Sequence, residues 1–481
     1  MSSEHSHGDP NSHTGANSHT GPDSHTGPDS HGDPHSHAGP GYASPQLARE
    51  QPAEKLIYVA ALYEGTGIDK PDFIAVVDVD PESAQYGQVV GRTDMPGVGD
   101  ELHHFGWNAC SSACHSELQR DTLIVPGFRS SRIHMLDVSD PRSPRIKNVI
   151  EGAEIKDKLG LSAPHTVHCM PGDIVTISML GDADGNSPGG FAILDARDFS
   201  IAGRWENERG DHEFMYDFWY QPRQNTLVSS EWGAPNTFKD GFNPADVAAG
   251  KYGRKLHFWD LERRVPVQTL DLGEDGWIPL ELRWQHDPDS AQGFVGVTLS
   301  STVKRFYRDN GSWDAETVID IPNEDLEGWP LPDGVPGLIT DIVLSLDDRD
   351  LFFSNWLHGD LRHYDVSDPR HPQLKSQVWL GGLLGRNGGH PKAGEALNGG
   401  PQMLQNSLDG QRVYVSNSLY STWDNQFYPG LKGWITKLDR QADGTYALDE
   451  NFFVDFHEQT DGARPHEIHL PGGDCTTEIF Q

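Results

Sequence analysis

The chain has 481 residues, and its 37 basic against 72 acidic residues give a formal net charge of −35. This charge repels phosphate backbones and anionic membrane surfaces, so neither nucleic acid nor a lipid surface is an expected partner. No stretch approaches the roughly 18 apolar residues of a membrane-spanning helix, and no basic and apolar N-terminal run marks a secretory signal. The sequence therefore predicts no membrane span and, by default, a cytoplasmic protein.

The N-terminal segment is a low-complexity repeat. Residues 5–40 form six consecutive six-residue units, and each unit has a histidine at its third position. Such a Gly, Pro, Ser and Asp-rich segment has little apolar surface to bury, so residues 1–52 are predicted to be a disordered tail. Because imidazole binds copper, zinc and nickel, the tail is predicted to capture metal, and a solubilising tail without that role is the alternative.

Residues 53–481 show a second repeat, made of short strand-like runs separated by turns. An alternating apolar run that ends in aspartate recurs at Asp78, Asp137, Asp195, Asp260, Asp365 and Asp439, with a seventh candidate around Tyr307. Each run has a partner strand some 10 to 25 residues earlier, and a repeat of roughly 60 residues built this way is typical of a propeller blade. The sequence thus predicts an all-β, seven-bladed β-propeller. Six or eight blades stay open, whereas two β-sandwiches would not explain one aspartate pattern along the whole chain.

Histidines in short dense motifs are the candidate metal ligands of the body. They are His103, His104, His165, His168, His286, His358 and His466. Side chains alternate faces along a strand, so each close pair is predicted to offer one ligand from regular strand unless a bulge or loop re-aims the second. His469 is predicted to point away from His466. The remaining histidines suit a mononuclear site in the central channel with a position open for substrate, and structural imidazoles are the alternative. No HExxH or paired CxxC motif points to a zinc peptidase or structural zinc.

The four cysteines are too few and too scattered for a fold built on disulfides, so free thiols are predicted. Three residues separate Cys110 from Cys114, which disfavours a thioredoxin-type pair. For Cys110, a catalytic nucleophile, a soft metal ligand and an inert buried thiol all stay open. No nucleophile elbow, P-loop or dinucleotide fingerprint occurs in a suitable context, so hydride and phosphoryl transfer are not predicted.

Long motifs from about residue 55 to the C-terminus resemble those of the selenium-binding protein and methanethiol oxidase family. They include HHFGWNACSS, HTVHC, YDFWYQPR, SSEWGAPN, DGFNPADV, SLYSTWDNQFYPGL and PGGDC. The resemblance implies a seven-bladed propeller and an oxidoreductase that converts methanethiol, O₂ and water to formaldehyde, hydrogen sulfide and hydrogen peroxide. It also implies copper held by His103 and His104, by His165 or His168, and by His466.

The same resemblance places the selenium-associated cysteine of animal members at Cys110, although CSSAC here departs from their CSSC and puts a dithiol mechanism in doubt. Bacterial members resemble periplasmic proteins, which makes the periplasm an alternative compartment. Candidate apolar walls for methanethiol are Phe105, Trp107, Trp219, Trp232 and Trp356. Two other function classes stay open: a propeller that stores selenium or metal without catalysis, and a protein-interaction scaffold.

Overall fold

The structure, a computed structural model, describes residues 39–113, 116–329, 333–386 and 389–481. In these ranges the strands form seven four-stranded antiparallel sheets. The predicted seven-bladed propeller is therefore confirmed. The predictions for residues 1–38 and for Cys114 lie outside the described residues. Among the described residues, no helix is long and apolar enough to cross a membrane.

Blade 1 combines both ends of the propeller, and blades 2 to 7 follow in chain order. From the inner to the outer strand, blade 1 consists of β28 (Arg464–His469), β1 (Leu56–Leu62), β2 (Phe73–Asp78) and β3 (Val89–Asp94). Blade 2 consists of β4 (Gly106–Trp107), β5 (Thr122–Pro126), β6 (Ile133–Asp137) and β7 (Arg145–Ile150). Blade 3 consists of β8 (Leu161–Met170), β9 (Ile174–Asp182), β10 (Gly190–Asp195) and β11 (Ile201–Arg204). Blades 4 and 5 are β12 (Phe218–Gln221), β13 (Thr226–Ser230), β14 (Lys255–Asp260) and β15 (Val265–Asp271); and β16 (Pro279–Trp284), β17 (Gln292–Val297), β18 (Thr302–Asp309) and β19 (Ser312–Asp320). Blades 6 and 7 are β20 (Ile339–Leu344), β21 (Asp350–Asn355), β22 (Asp360–Asp365) and β23 (Gln373–Trp379); and β24 (Leu404–Asn406), β25 (Arg412–Ser416), β26 (Trp434–Arg440) and β27 (Tyr446–Asp455).

Short helices lie between the strands. They are α1 (Pro45–Arg49), α2 (Gly152–Leu159), α3 (Pro235–Phe238), α4 (Pro244–Ala248), α5 (Ser421–Phe427) and α6 (Phe456–Gln459), with 3₁₀ turns at Ser111–Ala113 and Pro222–Gln224.

The aspartate-ending runs of the sequence are the third strands of the blades, and their predicted partners are the second strands. The unit around Tyr307 is β18. Burial falls from the channel outward: the inner strand β8 is buried along its whole length, whereas most of the outer strand β23 is exposed or half-buried. This gradient follows the sequence, because inner strands contact neighbouring blades on both faces and outer strands meet water.

The ring closes where the last strand pairs with the first. In β28, His469 faces Tyr58 of β1 and Arg464 faces Leu62, in antiparallel register. This pairing joins the two ends of the propeller within one sheet. It therefore brings the C-terminal histidine motif into the same blade as the N-terminal strands, next to the segment that enters blade 2.

The segment before residue 53 contributes to the folded body. Ser44 caps α1, Ala48 is buried in the core, and Arg49 lies 3.0 Å from Asp347. Tyr42 donates its hydroxyl to the Gly472 carbonyl at 3.0 Å. Folded chain thus begins earlier than the tail boundary predicted at residue 52. This helix buries a single alanine and is otherwise held by polar contacts, so its sequence shows almost no apolar periodicity. The sequence pattern therefore did not predict it.

Candidate metal centre

Four histidines from three blades meet at the channel. His103 and His104 precede β4, His165 lies in β8, and His466 lies in β28. Candidate ligand atoms of the first three lie within 4.8 Å of one another. The His466 ring stacks on His103 with centroids 3.8 Å apart. The two ends of the chain therefore meet at these rings, and the four residues are called the histidine cluster below. That they bind a metal stays a prediction.

Local backbone shape decides which histidine of each pair joins. His103 and His104 both join, because their segment precedes β4 and is not regular strand, which is the loop exception that the prediction of one ligand from each pair allowed. In β8 the register shifts between Pro164 and Val167, at His165. His168 is not brought to the cluster and packs its ring 4.8 Å from Trp219.

His469 points away from the cluster, as the spacing predicts. Its Nδ1 lies 2.9 Å from Asp474 Oδ2, and its Nε2 donates to the Phe105 carbonyl at 2.7 Å. It lines a cavity of about 20 Å³ together with His104, His168, Glu281 and Glu467. That volume suits a single water molecule.

One ring nitrogen of each of three cluster histidines is held by the protein. His466 Nδ1 donates to the Ser418 carbonyl at 2.6 Å, and His104 Nδ1 lies 2.6 Å from Glu467 Oε1. His165 Nδ1 donates to Thr166 Oγ1 at 3.0 Å, because that hydroxyl gives its own proton to Asp217. The Nε2 atoms of all three are buried and lack a hydrogen-bond partner. Fixing one nitrogen and leaving the other vacant is how proteins orient a histidine towards a metal.

Burial sets the protonation of most of the cluster. It lowers the pKa of His103 and His165 well below the usual value, and it lowers the pKa of His466 to about 3. These imidazoles are neutral near pH 7 and present lone pairs. His104 behaves differently: burial would lower its pKa, but Glu467 and Glu281 outweigh burial and raise it well above the usual value.

The two carboxylates beside His104 were not among the predicted site residues. Glu467 also accepts a hydrogen bond from the Phe105 backbone N–H. Glu281 Oε1 lies 3.2 Å from His104 Nε2, close enough for electrostatic attraction but not aligned as a hydrogen bond. Each is an acidic residue inside a fully buried inner strand, β28 or β16, and this is the signal that could have identified both.

A chamber of aromatic rings covers one side of the cluster. Tyr216 packs with its ring centroid 4.2 Å from that of His165, and Tyr420 lies 4.8 Å from His103. Trp232 contacts both tyrosines. The aromatic chamber consists of Phe128, Tyr216, Trp232, Phe238 and Tyr420.

Of the five aromatic residues predicted as apolar walls, Trp232 belongs to this chamber. The other four pack elsewhere: Phe105 on His469, Trp107 on Tyr58, Trp219 on His168 and Trp356 on Tyr428. The sequence thus identified one of the five members of the chamber, Trp232, and missed the other four.

An apolar groove of about 730 Å³ lies next to the chamber. Trp423 lines the groove and also packs 5.8 Å from Trp232, between ring centroids. Phe242, Trp329 and Phe427 form other parts of the groove wall. Trp423 therefore separates the groove from the chamber that covers the histidine cluster.

Two further predicted ligands lie away from the cluster. His286 Nε2 donates to the Leu344 carbonyl at 3.2 Å, and His358 Nε2 donates to the Val335 carbonyl at 2.8 Å. His286 follows the end of β16, five residues beyond Glu281 and therefore on the order of 15 Å along the strand direction. His358 follows β21, a second strand rather than an inner one.

Cys110 and Cys169 form a disulfide between the loop after β4 and the end of β8. The prediction of free thiols is wrong for this pair, and it holds for Cys475, whose pKa burial raises to about 12. A separation of 59 residues gives no sequence signal that the two sulfurs meet. Cys110 can act as a nucleophile, as predicted, only after this disulfide is reduced.

Comparison with known proteins decides the family. The model of the 56 kDa selenium-binding protein (SBP56) family matches residues 36–481. The chain belongs to this family. Its relatives include proteins named methanethiol oxidase from Xenopus laevis and Homo sapiens, each 50% identical over 92% of this chain and 98% of theirs. A mouse relative named selenium-binding protein 2 is 49% identical over the same shares.

Solved structures agree on the fold. An X-ray structure of a hypothetical selenium-binding protein from Sulfolobus tokodaii is 48% identical, with a TM-score of 0.87 over 92% of this chain and 98% of that chain. A periplasmic gluconolactonase from Pseudomonas aeruginosa is 13% identical, with a TM-score of 0.53 over 86% and 98%. The second likeness extends to the architecture alone.

Proposed function

We propose that the protein is a copper-dependent methanethiol oxidase, which converts CH₃SH, O₂ and H₂O to HCHO, H₂S and H₂O₂. The observation that carries the proposal is the histidine cluster with its vacant Nε2 atoms next to an aromatic chamber. Relatives that are half identical over nearly their whole length carry the name methanethiol oxidase. Both support a redox site for a small thiol.

The donor set suits copper. Neutral imidazoles bind copper, zinc, iron and nickel, and copper(II) binds most tightly among the divalent ions of this series. His103, His104, His165 and His466 would hold the ion, while Thr166, Glu467 and the Ser418 carbonyl keep three of the rings in place. Bound copper would supply a soft Lewis acid that favours the thiolate form of methanethiol and exchanges electrons with O₂.

The aromatic chamber explains the choice of a small apolar thiol. Tyr216 and Tyr420 place ring faces beside His165 and His103, and Trp232 packs against both tyrosines. A methyl group between such rings is removed from water, which stabilises the bound state by about 0.8 kcal/mol. The neighbouring groove of about 730 Å³ gives an apolar approach that ends at Trp423.

A stoichiometric assay tests the proposal. Copper-loaded protein should consume O₂ only when methanethiol is present, and it should form formaldehyde, hydrogen sulfide and hydrogen peroxide in equal amounts. The metal-free protein and protein loaded with redox-inactive zinc serve as controls, and both should be inactive. If the protein binds copper but does not oxidise methanethiol, the result supports the storage protein. If it neither binds copper nor oxidises methanethiol, the interaction scaffold is the class that remains.

Selenium storage is the second candidate, because the family model and the mouse relative are named for selenium binding. The predicted position is Cys110, whose sulfur is bonded to Cys169. Selenium uptake at this position therefore requires reduction first. Selenite labelling that is equal with and without a reductant, or that persists in Cys110→Ser, would contradict this assignment.

For the compartment we propose the periplasm, with the cytoplasm as the alternative. A disulfide between the buried residues Cys110 and Cys169 supports an oxidising environment, because cytoplasmic thiols are kept reduced. Cell fractionation with antibody detection tests the compartment. We also keep the proposal that the histidine-rich tail captures metal, which the deletion described below tests.

A further inference from the structure

Glu281 is a buried carboxylate with one oxygen left over. It lies in β16, the inner strand of blade 5, and is 2% exposed. Its Oε2 accepts a hydrogen bond from Arg283 Nη1 at 3.1 Å. Its Oε1 is buried without a hydrogen-bond partner, 3.2 Å from His104 Nε2. A buried charged oxygen without a hydrogen-bond donor lowers the stability of the fold, so we expect this atom to bind a donor or a cation.

We propose that Glu281 is a fifth donor of the metal centre and binds the ion through Oε1, beside the histidine cluster. The inference rests on the copper site of the proposed function. Two donors that bind one ion at about 2.0–2.2 Å, at angles near 90–110°, lie about 3 Å apart. The separation of 3.2 Å between Glu281 Oε1 and His104 Nε2 fits that arrangement.

The surroundings of Arg283 single out Glu281 from its neighbours. Three carboxylates surround this guanidinium: Glu281, Asp217 and Asp341. Both oxygens of Asp217 are occupied, since Oδ1 accepts from Thr166 and the Phe218 backbone while Oδ2 accepts from the Leu282 backbone and Arg283.

Asp341 is occupied in the same way. Its Oδ1 accepts from the Ile342 backbone and from Arg283, and its Oδ2 accepts from the Leu404 backbone. Of the three carboxylates around Arg283, Glu281 is therefore the one that has an oxygen without a hydrogen-bond partner and lies next to a cluster histidine. Arg283 holds Oε2 of Glu281 by a hydrogen bond, and Oε1 of the same carboxylate lies beside His104.

A plain ion pair between His104 and Glu281 explains the geometry less well. Glu467 holds His104 Nδ1 at 2.6 Å, so the Nε2 atom must face Glu281 and the other cluster rings. The 3.2 Å contact between Nε2 and Oε1 attracts the two groups and helps to raise the pKa of His104, but its geometry is not that of a hydrogen bond. Two vacant donor atoms that lie 3.2 Å apart match the spacing of two ligands of one ion.

A carboxylate donor changes the properties of bound copper in a measurable way. Oxygen is a harder ligand than imidazole nitrogen, so Glu281 stabilises copper(II) relative to copper(I). Replacing it with the isosteric Glu281→Gln removes the charge and the anionic donor with little change in volume. Asp341→Asn is the matched control, because it makes the same isosteric change in another carboxyl group that contacts Arg283.

The experiment uses the full chain and copper(II) alone, without methanethiol. Competition with a chelator gives the copper dissociation constant, and electron paramagnetic resonance reports the ligand field. Glu281→Gln should bind copper(II) at least about 10-fold more weakly than the parent, with an altered copper hyperfine splitting. Asp341→Asn should match the parent in both measurements.

The outcomes that overturn the inference differ from the outcome that overturns the activity alone. An unchanged spectrum in Glu281→Gln, with or without weaker binding, would make Glu281 a positioning residue for Arg283 or His104. If Glu281→Gln fails to fold, Glu281→Asp decides, because shortening a bound carboxylate must alter the spectrum. A parent that binds no copper at the cluster removes the copper site and this inference together. A parent that binds copper without oxidising methanethiol defeats the activity alone and leaves Glu281 testable.

Discussion

Two groups of buried histidines in this propeller differ in what their ring nitrogens contact. The blade histidines, His257 and His363, lie on third strands, and both nitrogens of each ring have polar partners in the protein. His257 contacts Thr269 at 3.0 Å and Glu231 at 2.9 Å. His363 contacts Ser376 at 3.3 Å and Asp350 at 2.8 Å. In the histidine cluster, three rings keep a buried Nε2 without a hydrogen-bond partner.

Burial alone does not separate the two groups, since every one of these histidines is almost fully buried. Hydrogen-bond partners separate them. A ring with polar partners on both nitrogens stabilises its blade. One vacant nitrogen alone does not mark a ligand site, because His134 and His358 also keep a buried nitrogen without a hydrogen-bond partner and lie outside the cluster. Vacant nitrogens on several adjacent rings, as in the cluster, can bind one ligand together. The two groups should therefore respond in opposite ways to the same substitution.

The largest effect is expected for His466→Ala. Loss of one cluster ligand should weaken copper binding by more than about 100-fold and abolish methanethiol oxidation. The unfolding free energy of the metal-free chain should change by only about 1 kcal/mol, because the side chain of His466 loses a single hydrogen bond, from Nδ1 to the Ser418 carbonyl. Elemental analysis and denaturant titration check both parts. A variant that retains stoichiometric copper and activity would contradict the site assignment.

The second effect concerns the disulfide that joins the loop after β4 to the end of β8. The double variant Cys110→Ser with Cys169→Ser should lose about 2–4 kcal/mol of stability, because the unfolded chain is no longer cross-linked. Copper content should stay at the parent level, since imidazoles form the donor set. Loss of copper in a variant that is still folded would show that a sulfur belongs to the site.

His257→Ala is the control that mirrors His466→Ala. It removes two hydrogen bonds and leaves Glu231 Oε1 without its partner, so it should cost about 1–3 kcal/mol of stability. Copper per chain and turnover of the folded protein should equal those of the parent. A fall in copper affinity here would break the distinction between blade and cluster histidines.

The smallest effect on the propeller is expected from deleting residues 1–38. Melting temperature and turnover should stay unchanged while total bound copper falls, because the tail is predicted to bind metal apart from the channel. Deleting residues 1–52 should lower stability on the order of 1 kcal/mol as well, because it removes α1 with buried Ala48 and the Arg49 ion pair. Lost turnover after the shorter deletion would show that the tail serves the site.

The sequence predicted much of the architecture, because strand alternation and turns are encoded by neighbouring residues. The aspartate-ending repeat identified all seven third strands, including β18 around Tyr307. It could not identify α1, whose contacts are with residues far along the chain. The histidine motifs contain the four rings of the histidine cluster, His103, His104, His165 and His466, whose role as metal ligands stays a prediction.

The tertiary structure decided which candidates meet. His165 and His168 are equally good ligands by sequence, and the register shift in β8 separates them. Closure of the ring through β28 and β1 brings His466 to His103, and the packing of inner strands places Glu281 beside His104 and Cys110 against Cys169. Periodicity is a local property that a single sequence carries, whereas the meeting of distant side chains depends on ring closure, bulges and loop shape, which arise only when all seven blades pack together.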